Sequence, residues 1–108
     1  MYLVLWEFFV RPGSEDEFGR IYGSSGDWAR LFATCPGYQG TELLADSDPS
    51  GAEGRRYVTI DRWSSARDFA NFQSACDEEY KTLDARCEGL TIREAGLGNC
   101  ESEAQKGA

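Results

Sequence analysis

The chain contains no histidine. It therefore lacks the side chain whose unperturbed pKa lies nearest neutrality and the commonest metal ligand. Its four cysteines, Cys35, Cys76, Cys87 and Cys100, include no C-x-x-C pair, so the usual zinc spacings are missing and no metal site is expected. Basic residues are few, 11 against 19 acidic ones, for a formal net charge of −8. With no basic stripe, nucleic acid is not an expected partner, and anionic membrane surfaces are disfavoured on the same ground. No run approaches the roughly 18 apolar residues that span a bilayer. Met1 leads straight into Tyr2-Leu3-Val4-Leu5-Trp6 with no cationic segment or cleavage site. The expected compartment is thus the cytoplasm, where reduced cysteines are ordinary. A nucleophile elbow and a phosphate-binding loop are missing too. Gly96-Leu97-Gly98 lacks the third glycine and the strand–helix setting of a dinucleotide fingerprint.

Aromatic residues, by contrast, are plentiful. Three tryptophans, five tyrosines and six phenylalanines in 108 residues point to a second buried surface, such as a subunit interface, or to an aromatic-lined cavity. The length is that of one domain, and 41% hydrophobic residues place the chain among folded proteins. The acidic balance leaves small molecules or protein partners as the expected company.

The stretch from Arg55 to Cys87 organises the rest. Arg55 to Trp63 is rich in β-branched and aromatic residues and reads as a strand. Ser64-Ser65 can cap a helix start, and Phe69, Phe72, Cys76, Tyr80, Leu83 and Cys87 then recur at steps of three and four. That helical region spans about Ser65 to Cys87, with a kink expected near Cys76-Asp77 and a stop at Glu88-Gly89. Earlier in the chain, residues 2–10 form a strand apolar on both faces, interrupted by Glu7. Ser14-Glu15-Asp16-Glu17 has the capping-box pattern ahead of a helix burying Phe18, Ile21, Tyr22, Trp28, Leu31 and Phe32. Gly23-Ser24-Ser25-Gly26 kinks or splits it. Tyr38–Ala45 is a second strand, joined through the polar loop Asp46–Gly54 to the third as a long hairpin. Leu90–Ala95 is a short final strand, and the polar residues after it are expected to fray beyond Cys100.

This order, β-α-β-β-α-β, is the ferredoxin-like arrangement of the α+β class: a four-stranded antiparallel sheet with helices on one face. Residues 1–98 form the expected domain and 99–108 a polar, flexible C-terminal tail. Leu3, Leu5 and Phe9 alternate on one side of the first strand, so the uncovered sheet face is greasy and calls for a partner, most simply a second copy.

Certain segments resemble the antibiotic biosynthesis monooxygenase family, within the dimeric α+β barrel superfamily. They are Phe9-Val10-Arg11-Pro12-Gly13, Pro36-Gly37 and, above all, Thr59-Ile60-Asp61-Arg62-Trp63-Ser64-Ser65 followed by Phe69. The likeness covers roughly residues 2 to 98. It implies a homodimer joined through the open sheet face, with a pocket between sheet and helices in each protomer. The implied activity is oxygenation of a small aromatic or quinol-like compound with no cofactor, neither metal nor flavin. The family's haem-degrading branch relies on an asparagine, a tryptophan and a histidine. This chain offers Trp6, Phe72 and Thr82 at about those positions and has no histidine, which speaks against that activity.

Each candidate residue carries a functional and a plainer reading. Trp63 can flank a planar substrate, or simply bury its ring and hydrogen-bond its N–H. Trp6, Tyr57, Phe72 and Tyr80 can line an aromatic pocket or pack a core, and Trp28 is a lid or core residue. Asp61 and Glu7 interrupt apolar strands; a buried carboxylate is a candidate base, although Arg62 and Arg56 are available as ion-pair partners. Cys76 and Cys87 read as small core residues ahead of redox-active thiols. The catalytic candidates are Trp63, Tyr57 and Asp61, and the ligand-pocket candidates Trp6, Trp28, Phe72 and Tyr80. The rival to an oxygenase is a non-catalytic homodimeric module that binds or senses a small hydrophobic ligand. A closed apolar cavity with a polar group in it favours the enzyme; a cavity filled by side chains favours the rival.

Overall fold

A computed structural model describes residues 1–49 and 54–103. The elements run β1 (Tyr2–Val10), α1 (Glu15–Tyr22), α2 (Asp27–Phe32), β2 (Tyr38–Ala45), β3 (Arg55–Trp63), α3 (Ala66–Ala75), α4 (Asp77–Cys87), a 3-10 turn (Glu88–Leu90) and β4 (Thr91–Glu101). The strands pair antiparallel in the order β2-β3-β1-β4. The result is the ferredoxin-like α+β sheet with its helices on one face, as the element order predicts. Among the described residues no helix is long and apolar enough to cross a membrane.

Strand periodicity separates the two faces of the sheet. On β3 the residues at 57, 59, 61 and 63 are buried beneath the helices. Their β1 partners on the same face are Phe8, Trp6, Val4 and Tyr2. The alternate set, Leu3, Leu5, Glu7 and Phe9 with Arg56, Val58, Ile60 and Arg62, faces away from the helices. Two ion pairs cross that outer face, Arg56–Glu7 at 2.6 Å and Arg62–Glu42 at 2.9 Å, and the Arg93 guanidinium lies 4.0 Å over the Phe9 ring.

The helices begin and end for local reasons. Ser65 is extended, and its hydroxyl accepts the backbone N–H of Asp68 at 3.1 Å, capping α3 as expected. The turn before β2 is locked to this cap: Gly37 has φ +91° and its carbonyl accepts from Ser64 N at 2.7 Å. A Cβ on Gly37 would collide with the Asp68 carboxyl, so both backbone angle and space require glycine there. The anticipated break after Cys76 is real. Cys76, at φ −117° and ψ 26°, belongs to neither helix and separates α3 from α4.

Two local expectations fail. Ser14 makes no side-chain cap, because its backbone (φ −103°, ψ 5°) is not extended. Glu15 instead accepts from Gly13 N at 2.8 Å, and Glu17 turns to Arg20 at 3.7 Å. The final strand is also longer than Leu90–Ala95: β4 runs on to Glu101, opposite Tyr2. Gly96 and Gly98 do not end it. Gly98, at φ +103°, sits where the register slips between Leu5 and Trp6, so the glycine marks a bulge within the ladder. Of the expected polar loop, positions 50–53 lie outside the described residues, as do positions 104–108 of the tail.

Candidate active site

The aromatics packed between the sheet and its helices do not make a uniform core. At one end Trp63 and Phe72, both 0% exposed, are walled in by Phe32, Tyr38 and Phe69 with ring centroids 5.0–6.3 Å apart. That end is solid. The buried Trp63 N–H has no hydrogen-bond partner among the described residues, contrary to the plainer reading of that tryptophan. Tyr57 is buried elsewhere, 5.1 Å from the Phe18 ring.

At the other end a cavity of about 50 Å³ opens between sheet and helices. β1 contributes Trp6 and Phe8, β3 Asp61 and β4 Glu94; α1 gives Tyr22, α2 Trp28 and Phe32, and α4 Tyr80 and Asp84. Tyr80 forms the rim, 36% exposed, with its ring edge-on to Trp28 at 5.0 Å. Four of the seven candidates therefore meet here: Trp6, Trp28, Tyr80 and Asp61. Trp63, Phe72 and Tyr57 do not line the cavity. Asp84 and Glu94 were missed. The Tyr80–Asp84 spacing of four residues on one helix was the available signal for the first. For Glu94 it was strand alternation, which sets it opposite Phe8 on the helix-covered face.

Electrostatically the cavity is acidic. Asp61 is only 8% exposed. Neither Arg56 nor Arg62 pairs with it, since strand alternation sends both to the other face, where Glu7 and Glu42 hold them. Among the described residues its one hydrogen bond comes from Thr41 Oγ1 to Oδ1, at 2.7 Å, and Thr41 in turn meets the Tyr38 hydroxyl at 2.5 Å. Burial dominates and pushes the Asp61 carboxyl up to about 6, with the Thr41 bond opposing it. Burial also raises Glu94, helped by the charge of Asp84, and raises Tyr80, whose further causes are Asp84, Glu94 and Asp61. The Trp28 N–H is also buried, against the Tyr22 hydroxyl and the Cys87 sulfur. Asp61 lines the cavity, so the site offers a carboxyl pushed up to about 6, set among aromatic faces. Among the described residues no group of three or more His, Cys, Asp or Glu is arranged to hold a metal ion.

The comparisons agree with this architecture. The family model for antibiotic biosynthesis monooxygenase matches residues 1–83. No curated protein matches the chain. Similar solved structures include a point variant of SnoaB, a cofactor-independent oxygenase from Streptomyces nogalater, at TM-score 0.73 and 17% identity, covering 99% of this chain and 97% of that one. An anthrone oxidase-like protein superposes at TM-score 0.64 and 19% identity, covering 92% and 45%. A point variant of MhuD with two manganese protoporphyrin IX per active site superposes at 0.65 and 20%, covering all of both chains. At these identities the structures speak for the fold; the family match spans most of the chain, which belongs to the antibiotic biosynthesis monooxygenase family.

Proposed function

We propose that the protein is a cofactor-independent monooxygenase whose substrate is a small aromatic or quinol-like compound, bound in the Trp6–Trp28–Tyr80 cavity with Asp61 as base. The observation that carries this reading is a buried carboxyl, pushed up to about 6 and unpaired with any cation among the described residues, that lines an aromatic cavity. An electron-rich substrate such as an anthrone loses a proton to Asp61 Oδ2. The resulting anion gives its electrons to O2, forming a carbon–oxygen bond as a hydroperoxide. Asp61 returns its proton to complete that hydroperoxide; the remaining C–H proton then leaves with the distal oxygen as the O–O bond breaks, giving water and a carbonyl. A methylene and O2 become a ketone and water, so the substrate supplies all the electrons. The acidic lining suits this route, because proton transfer moves the negative charge from Asp61 to the substrate and adds none. It opposes substrates that already carry carboxylate or phosphate. The names of SnoaB and the anthrone oxidase-like protein support the same chemical class.

In this reading Trp6 and Trp28 flank the ring, and Tyr80 is the wall that moves. A cavity of about 50 Å³ holds a water or two, whereas ligand sites usually measure about 300–1,000 Å³, so a tricyclic ring enters only with Tyr80 swung outward. Trp63, Phe72 and Tyr57 support the site by packing. A second copy covers Leu3, Leu5, Phe9, Val58 and Ile60, giving a homodimer in the cytoplasm. The same small cavity favours one rival, a non-catalytic homodimeric module that binds a small hydrophobic ligand. Oxygen uptake with anthrone-type and hydroquinone substrates separates the two: uptake above blank is expected for the enzyme, and none across the panel sinks it.

A further inference from the structure

The sulfur atoms of Cys35 and Cys76 lie 3.6 Å apart although 41 positions separate them in the chain. The Thr34 hydroxyl sits 3.9 and 3.8 Å from the two sulfurs. We propose that Cys35 and Cys76 are a thiol–disulfide site whose oxidation fastens the end of α2 to the start of α4 and holds the cavity shut. A disulfide has an S–S length of about 2.05 Å, so the sulfurs need approach by only about 1.5 Å. Neither cysteine lies inside a helix, Cys35 following α2 in a turn and Cys76 occupying the break between α3 and α4. Such backbones adjust without breaking a helical ladder.

The two thiols differ in access. Cys35 is partly exposed and Cys76 is buried, so a peroxide reaches Cys35 first. The Cys35 thiolate attacks one peroxide oxygen, the O–O bond breaks, and a sulfenic acid and water form. The Cys76 sulfur then attacks the Cys35 sulfur, and hydroxide leaves with the Cys76 proton as a second water. Two thiols lose two electrons, and one peroxide is reduced. A dithiol reductant such as dithiothreitol reverses the bond.

Position gives the bond its consequence. Cys35 N donates to Phe32 O at 3.1 Å, and Tyr80 N donates to Cys76 O at 2.8 Å. The cysteines are thus one hydrogen bond from Phe32 on α2 and from Tyr80 on α4, both of which line the cavity. Tying them restrains α4 from carrying Tyr80 away from Trp28. The latch rests on the cavity being the ligand site; the bond itself does not.

The test treats the full chain with equimolar hydrogen peroxide, alkylates free thiols and maps the peptides. The expected product links position 35 to 76, in a peptide pair about 2 Da lighter than the sum of its two thiol peptides, and keeps Cys87 and Cys100 alkylated. Cys35→Ser abolishes the link, and the double variant Cys87→Ser with Cys100→Ser retains it. Oxidation should raise Tm by about 5 °C or more. It should also slow amide exchange around Tyr80 at least about tenfold, with recovery in dithiothreitol. Four alkylatable thiols after treatment, or a link between any other pair, overturns the site. A 35–76 bond with unchanged exchange at Tyr80 overturns the latch. Because both readouts are independent of turnover, an oxygenase reading that fails does not affect them.

Discussion

The two ends of the interior use the same residue types to opposite effect. Around Trp63 and Phe72, rings meet rings and fill the space. Around Trp6 and Trp28, the rings share their space with Asp61, Asp84 and Glu94 and leave a cavity. Phe32 belongs to both, 5.0 Å from Phe72 and 6.0 Å from Trp28. Aromatic content alone therefore says nothing about function. What distinguishes a candidate site from core here is a buried carboxylate without a counter-ion among the described residues, which folding tolerates at a cost and packing does not explain.

That contrast can be broken in several ways. The largest effect is expected at the solid end. Phe72→Ala leaves an unfilled hole and should cost about 4 kcal/mol, read as a fall in the urea midpoint at unchanged slope. A loss below about 1 kcal/mol would show that this end is not tightly packed.

Asp61 should behave in the opposite sense. Its folded-state pKa, about 6, lies above its ordinary 3.8, so the native state holds the proton more tightly than the unfolded chain. The stability this contributes is full below about pH 4 and is lost as pH rises through 6. Asp61→Asn escapes that loss while its amide oxygen still accepts from Thr41. The variant should gain up to about 3 kcal/mol at pH 8 and nothing at pH 4, read from denaturant curves at both. Equal effects at the two pH values would contradict the account.

Smaller effects sharpen the comparison. Asp84→Asn removes a charge that raises Glu94 and Tyr80, so both should titrate closer to their ordinary values in a carbon-13 NMR series. No movement at either residue would remove Asp84 from the cavity. Arg56→Ala, on the outer face with the arginine side chain 40% exposed, should change stability by under about 1 kcal/mol in the monomer. Replacing Leu5 by Asp on the same face should instead shift sedimentation toward monomer mass, if the second copy sits there. Monomer mass for the unaltered chain at micromolar concentration would contradict the dimer.

The fold was legible because its signals are local and periodic. Alternation on β3, the Ser65 cap and the three-and-four spacing from Phe69 to Cys87 each follow from neighbouring residues. β4 was underestimated because Gly96 and Gly98 look like breakers until the ladder with β1 is seen to hold them. The site was half legible. Trp6, Trp28, Tyr80 and Asp61 converge, but composition could not separate them from Trp63, Tyr57 and Phe72, since burial and cavity lining demand the same side chains. Asp61's missing partner depends on which face Arg56 and Arg62 take. Cys35 meets Cys76 only through the docking of α2 beside the α3–α4 break.

The most direct test of Asp61 as the working base is the pH dependence of oxygen uptake with an anthrone-type substrate. For the unaltered chain kcat/KM should rise tenfold per pH unit and level off above an apparent pKa near 6. In Asp61→Asn it should fall by about 10²–10⁴ and lose that inflection. A variant that keeps both its rate and the inflection near 6 would contradict the account.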